Sequence, residues 1–161
     1  SGPCQPTFSD QAMDAGAEEP SEEVADFVLA ARYGDLDDVH AAISAGIEVN
    51  ARSHGAATAV LMASANGHTE VVRALLDARA APSLPNEAGN APLHWAALNG
   101  HLDVCKALME VRADANARNQ FQRRPFEEAF SRSLSEVCEF LAPLTDFSED
   151  IPDEAPVEDP K

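Results

Sequence analysis

Three glycines, Gly34, Gly67 and Gly100, recur at intervals of 33 residues with no insertion between them. Their surroundings recur too. Ala63-Ser64-Ala65-Asn66-Gly67-His68 copies Ala96-Ala97-Leu98-Asn99-Gly100-His101. Val71, Val72, Leu75 and Leu76 match Val104, Cys105, Leu108 and Met109, and Ala30, Ala31, Val39, Ile43 and Gly46 hold the corresponding places in an earlier unit. One more interval puts Pro125 at the place of Pro92, Phe126 at Leu93, Ala129 at Ala96, Val137 at Val104 and Leu141 at Leu108. That last unit is degenerate, with Ser133 in the glycine place and Glu127 in the histidine place. Such a period leaves few folds open. Each unit is a small element whose apolar face must be covered by the next, so the chain stacks in one dimension.

Within a unit the pattern reads as helix, sharp turn, helix. Pro92 suits a first helical position, where its missing N–H costs nothing. Leu93, Ala96 and Ala97 share one apolar face, and Gly100 tolerates the positive φ at which the helix must stop. Leu102, Val104, Cys105, Leu108 and Met109 form a second stripe. Neither helix is long enough to persist alone in water. Ser21 is expected to cap the first helix, with Glu22 and Glu23 favourable near its positive end. Glu22, Glu23 and Asp26 are expected to form the polar outer face of the terminal unit.

Ala91-Pro92-Leu93-His94-Trp95-Ala96 and its copies in register resemble the ankyrin-repeat family. The resemblance implies an all-α ankyrin-repeat solenoid of four helix-turn-helix units with disordered acidic N- and C-terminal tails. The units are 21–52, 53–85, 86–118 and a degenerate 119–144. Residues 1–20 form the N-terminal arm and 145–161 the C-terminal tail.

Charge is uneven. Residues 1–31 carry seven acids and no Lys or Arg, residues 32–141 carry fourteen acids and ten bases, and residues 142–161 carry seven acids and Lys161, which together give the net −17. This field repels nucleic acid and anionic membrane surfaces and attracts basic proteins. No direct nucleic-acid contact is expected. No apolar run is long enough to cross a membrane, and no signal pattern opens the sequence. The three cysteines suit a reducing compartment. Cys105 and Cys138 are expected as buried hydrophobes, and Cys4 as a free thiol in the arm. The expected setting is the cytosol or nucleus, and the expected state a monomer.

No nucleophile elbow, phosphate loop or separated acid pair is present, so no catalytic residues are expected. His68, His94 and His101 are read as bonding between adjacent units rather than as metal ligands, because no Cys-x-x-Cys or His pair with an acid stands at ligand spacing. No cofactor and no metal are expected. Trp95 is expected in the core between helices, with Met62 as its large apolar equivalent. Arg79 and Arg112 stand where Gly46 ends the first unit. Two readings follow, a locally different cap or two arginines placed for a contact, and the first is preferred.

In an ankyrin stack the ends of the first helices face a concave groove, and the tips between units flank it. The partner-binding residues expected there are Arg32, Tyr33, Asn66, Glu87, Asn90, Leu98, Asn99 and Arg132. Arg118, Arg123, Arg124 and Arg132 make a small basic patch, either a solvated face or a holder of an acidic tail in cis. The tail acids Asp146, Glu149, Asp150, Asp153, Glu154, Glu158 and Asp159 are expected to form a shielding arm.

A narrower likeness follows. Leu93-His94-Trp95-Ala96-Ala97-Leu98-Asn99-Gly100-His101-Leu102-Asp103-Val104 resembles the third-repeat core of the fungal ankyrin-repeat chaperones that accompany newly made small-subunit ribosomal protein three (S-three). Ala31-Arg32-Tyr33-Gly34-Asp35-Leu36-Asp37 is similar to their opening repeat. Arg118-Asn119-Gln120-Phe121 and Glu127-Glu128-Ala129 are similar to their last. This resemblance implies a dedicated chaperone that binds a basic client, an unassembled small-subunit ribosomal protein, during ribosome biogenesis. The alternative is a general ankyrin adaptor or inhibitor of a folded signalling protein.

Overall fold

The computed structural model describes residues 19–148. Among them are eight α-helices and no strand. The helices are α1 (Glu22–Tyr33), α2 (Leu36–Ser44), α3 (Ala59–Asn66), α4 (Thr69–Asp77), α5 (Pro92–Leu98), α6 (Leu102–Glu110), α7 (Pro125–Ser131) and α8 (Ser135–Leu141). They pair as four hairpins. The first helices, α1, α3, α5 and α7, pack in one row and the second helices, α2, α4, α6 and α8, in another. The core runs between the rows through Phe27, Val39, Val60, Val72, Leu75, Leu93, Val104, Leu108, Val137 and Leu141, all buried.

The expected cap forms at Ser21, whose Oγ accepts from the Val24 N–H, and Thr58 caps α3 in the same way, its Oγ1 accepting from the Leu61 N–H. Ala91 and Arg124 have no capping hydroxyl, and each receives its bond from three residues ahead instead. The Ala91 N–H donates to His94 Nδ1 at 3.0 Å, and the Arg124 N–H to Glu127 Oε2 at 2.9 Å. Glu127 therefore does the capping work of the histidine it replaces.

The turns between paired helices set how closely units approach. Gly67 has φ +77, and a Cβ there would lie 2.6 Å from His101 Nδ1 of the next unit. Gly34 meets His68 in the same way. Glycine is thus required twice over, for its backbone and for the ring against it. The imidazoles tie the turns together: His68 Nε2 bonds the Arg32 carbonyl at 3.0 Å, and His101 Nε2 the Ala65 carbonyl at 3.1 Å. Ser133 keeps the left-handed backbone, with φ +57. It pays only the backbone cost, since no further unit among the described residues brings a ring against it.

The second set of turns corrects one expectation. Arg79 and Arg112 have φ +67 and +60, the same left-handed cap as Gly46. The Arg79 N–H donates to Leu76 O and the Ala80 N–H to Leu75 O, as the Gly46 and Ile47 N–H groups do to Ile43 O and Ala42 O. The cap is not locally different. Burial of Ala80 and Ala113 and the paired bonds hold both arginines in a conformation that costs about 1–2 kcal/mol.

The C-terminal end also departs from expectation. The Asp146 N–H donates to Asn116 Oδ1 at 2.7 Å, Thr145 is buried, and the Phe147 ring meets Phe126 edge-on at 5.1 Å. The stack therefore continues to at least Phe147, and the tail expected from 145 begins later. Residues 1–18 of the N-terminal arm and the tail acids Glu149, Asp150, Asp153, Glu154, Glu158 and Asp159 lie outside the described residues, as does Cys4.

Gly46 and Gly67 share a left-handed backbone, but a Cβ at Gly46 meets nothing within 4 Å. Gly46→Ala is expected to cost about 1 kcal/mol for the backbone alone. Gly67→Ala should cost at least about 2 kcal/mol, because it must also displace His101 and its bond to Ala65. Urea denaturation of the two variants measures the difference, and equal losses would show that the ring moves aside freely.

Candidate functional site

The first helices expose a ladder that the 33-residue register makes explicit. Leu29, Met62, Trp95 and Glu128 occupy one rung position in successive units. Leu29 is 45% exposed, Met62 and Trp95 are half-buried, and Glu128 is buried. A parallel rung holds Arg32, Ala65, Leu98 and Ser131, and another Tyr33, Asn66, Asn99 and Arg132. The result is an apolar stripe along the inner side of the stack, closed on one flank by the hairpin tips.

Two depressions lie along this stripe and share the Trp95 indole. One, of about 380 Å³, is lined by Arg32, His54, Met62, Ala65, Asn66, Trp95 and Asn99 among others. The second, of about 190 Å³, is lined by Asn90, His94, Trp95, Leu98, Asn119, Phe121, Arg123 and Glu128. Five of the expected residues are thereby placed on the groove: Arg32, Asn66 and Asn99 in the first depression, Asn90 and Leu98 in the second. Tyr33 stands at its N-terminal end, 70% exposed, with the Arg32 guanidinium 6.0 Å from its ring centre. Arg132 is exposed but lines neither depression, and Glu87 projects from a tip.

Three of the expected polar side chains are committed inside the protein. Asn66 Nδ2 donates to the Met62 carbonyl. Asn99 Nδ2 donates across units to the Ala65 carbonyl at 2.9 Å, and Asn90 Oδ1 accepts from Asn119 Nδ2 at 2.9 Å. The Asn99 and Asn90 bonds cross between units and help set their spacing, whereas the Asn66 bond stays within its own helix. The exposed Leu29 and Tyr33 and the half-buried Met62, Trp95 and Leu98 supply the apolar surface of the stripe.

Trp95 is a correction. It does not sit in the core but forms the wall between the two depressions. Its indole N–H is enclosed and makes no hydrogen bond among the described residues. An enclosed, unpaired donor costs about 1–3 kcal/mol, and an acceptor brought by a partner would recover part of that. The signal was present in the sequence: the equivalent of Trp95 in the last unit is the acid Glu128, an unsuitable replacement for a residue of an apolar core.

Beneath the second depression lies a fully paired polar network. Asn119 Nδ2 also donates to Glu128 Oε1 at 2.8 Å, and Asn119 Oδ1 accepts from the Phe121 and Arg123 N–H groups. His94 accepts at Nδ1 from Ala91, so Nε2 carries the proton and donates to the Arg123 carbonyl at 2.9 Å. Burial pushes the His94 imidazole below its ordinary 6.5, against the opposing pull of the Arg123 carbonyl and Glu128.

The tips continue the flank. The Glu87 N–H donates to the Gly55 carbonyl and the Gln120 N–H to the Ala88 carbonyl. Ala56, Gly89 and Gln122, at the same place in successive tips, all have positive φ, as does Gly55 in the first. Asp146, expected in a shielding arm, is instead held at the end of the stack. Its carbonyl accepts from Arg124 Nη1, and hydrogen bonds from Ser148 hold its carboxyl below the usual carboxylate range. Of the basic patch, Arg124 holds the start of the C-terminal segment in cis, through the Asp146 carbonyl and the Phe147 ring.

A family model of ankyrin repeats in three copies matches residues 27–119 and 84–148. The chain is an ankyrin-repeat protein. Ankyrin stacks serve as protein-binding modules, and the groove of this one has the form that role requires. No curated protein matches the chain, so the narrower likeness to ribosomal-protein chaperones rests on its short motifs. Among the described residues of this ankyrin-repeat protein, no helix is long and apolar enough to cross a membrane, and no cluster of three or more His, Cys, Asp or Glu could hold a metal ion. Cys105 is buried and its thiol is pushed up to about 12 by that burial, which makes it an inert part of the core.

His94 gives this ankyrin stack a pH dependence of known sign. The folded state resists protonation of His94, whereas the unfolded chain takes the proton near its ordinary 6.5. Stability is therefore full above that pH and falls as pH drops below it. His94→Gln should lower stability at pH 7.5 and flatten the loss between about pH 7 and 5; chemical denaturation across that range reads both, and an unchanged slope would remove His94 as its source.

Proposed function

We propose that this ankyrin-repeat protein is a chaperone for a basic client, a newly made small-subunit ribosomal protein, held in the groove by an apolar anchor beside Trp95 and at the outer turns by acids. The observation that carries the reading is a column of acids. Asp37, Glu70, Asp103 and Glu136 recur at 33-residue spacing, one in the first turn of each second helix, and all four are exposed.

An acid in a first helical turn stabilises the helix by about 0.3–1 kcal/mol, which explains each acid singly. The same dipole disfavours Lys and Arg, and none stands in the four turns, 34–38, 67–71, 100–104 and 133–137. The dipole does not place Asp103 and Glu136 on the same depression of about 340 Å³, beside Gly67, Thr69 and His101. Two carboxylates on one concavity suit a lysine or arginine side chain. The net −17 of the chain adds long-range attraction for a cationic client and fast, salt-sensitive association. The resemblance of Leu93–Val104 to the chaperone motif points to the same client.

A second reading is favoured by the groove itself. Arg32, Arg123 and Arg132 border the apolar stripe and Glu87 is the exposed acid nearest it in the sequence of the tips. That arrangement suits an adaptor whose partner presents an apolar, acidic segment.

Trp95 is the chain's single tryptophan, so its fluorescence reports on the groove. Titration with purified small-subunit ribosomal protein three is expected to shift that emission, and raising salt from 50 to 300 mM should weaken binding by on the order of tenfold. Asp103→Asn with Glu136→Gln should weaken binding several-fold at low salt, and Trp95→Ala should weaken it at both. No binding, or binding indifferent to salt and to the acid pair, would remove the chaperone reading; a partner lost with Trp95→Ala alone would establish the adaptor.

A further inference from the structure

The two depressions of the groove differ in chemistry from the acidic outer turns, so the two surfaces select different parts of a partner. The larger depression, of about 380 Å³, lies between the second and third units, and the smaller, of about 190 Å³, between the third and fourth. Packed helices sit about 8–10 Å apart, and the two depressions are spaced by about that distance along the stack. The smaller falls below the roughly 300–1,000 Å³ of small-molecule sites and the larger lies at the low end of that range. Each suits a side chain of a bound segment.

Trp95, Leu98 and Phe121 make the apolar wall of the smaller depression. Phe121 is 67% exposed, at a place where the earlier tips carry Gly55 and Ala88. Aromatic side chains gathered at a depression are the usual make-up of a binding hot spot. Charge then selects the occupant. Among the described residues, Glu128 is the one acid lining either depression, and it is buried and engaged. Its Oε1 accepts from Asn119 Nδ2 at 2.8 Å and its Oε2 lies 3.8 Å from Arg123 Nη1. No carboxylate in the depressions is left for a cation of the partner. A cation for an acid is present. His54 already has Glu19 at 3.7 Å, but the exposed Arg32 makes no ion pair among the described residues and rests beside the Tyr33 ring. The net −17 opposes an acidic occupant at long range. At physiological salt, charges beyond about 8 Å are largely screened, and the side chains of the groove itself decide.

We infer that the groove takes an apolar, acidic segment of a partner protein, with one apolar side chain seated on each side of Trp95 and a carboxylate at Arg32. Seats about 10 Å apart match residues about three positions apart in an extended segment, or about seven apart in a helix. The Trp95 N–H, enclosed and without a partner among the described residues, gains an acceptor from such a segment. This is the occupant that the second reading requires, and the assignment rests on that reading while fixing the spacing of the anchors and the place of the acid. A client with a basic part satisfies it too, because that part meets the outer turns and a different part enters the groove.

The test is selection from a phage-displayed library of random peptides about 12 residues long, enough to span both seats in either form. The full chain, Arg32→Glu and Trp95→Ala are selected in parallel at physiological salt. The unsubstituted chain is expected to enrich peptides with apolar residues about three or seven positions apart and with Asp and Glu in excess of Lys and Arg. Arg32→Glu, an exposed change, should turn one acidic position of that pool to Lys or Arg, and Trp95→Ala should lose the pool. A synthetic peptide from the pool, titrated against Trp95 emission, should bind Arg32→Glu on the order of tenfold more weakly and Phe121→Ser several-fold more weakly. It should bind Asp103→Asn with Glu136→Gln unchanged. A pool rich in Lys and Arg, or one without the spacing, would overturn the inference; if that pool still needs Trp95, the groove remains a protein-binding face with another occupant. No enrichment, or a pool indifferent to Trp95→Ala, would overturn the inference and the second reading together.

Discussion

Every α-helix among the described residues is seven to twelve residues long, too short to hold well alone in water. Stability must therefore come from contact between units, and the contact is made at the turns. A glycine in the left-handed conformation opens just enough room for the imidazole of the next unit, and that imidazole bonds back to a carbonyl of the unit before. The spacing of the apolar core follows from this contact, and so does the spacing of the groove.

The last described unit shows the same requirements met by different chemistry. Glu127 replaces the capping imidazole, and the exposed turn accepts Ser133 because no further unit among the described residues is packed on it. Leu134 stands in the histidine place and packs against Gly100, where a Cβ would come within 3.2 Å of its Cδ2. Arg124 is the largest departure. A buried guanidinium is tolerated only when fully paired, and here Glu127 accepts from Nε and Nη2 at 3.2 and 2.7 Å while Asp146 and Phe147 close the other side. The degenerate repeat is better described as a specialised end.

The surface divides into two chemistries. The inner side is apolar with cations at its border; the outer turns are acidic along their whole length. Of the polar residues that look most like binding groups in the groove, Asn90 and Asn99 are engaged in holding units together and Asn66 in bonding its own helix. The contact area available to a partner is instead the stripe from Leu29 through Met62 and Trp95 to Leu98. Trp95 is its centre because its ring separates two depressions and its N–H is left without a partner among the described residues.

The period of 33, read in particular residues, determined the family, the helix hairpins, the turn glycines and the histidine bridges, because each is a local demand repeated in register. It also located the groove, through Arg32, Tyr33 and Leu98. Tertiary structure alone decided the rest. Trp95 follows the helical pattern of a core residue, and only the stacking of neighbouring units shows that its rung faces the groove. Arg79 and Arg112 break a local rule, and only the packing of Ala80 and Ala113 shows that the backbone takes the strained cap regardless. Asp146 reads as part of a charged tail until Arg124 and Asn116, distant in sequence, are seen to hold it. For Asp146 the deciding contacts join residues 22 and 30 positions apart, and a local pattern carries no record of which distant surface will be waiting.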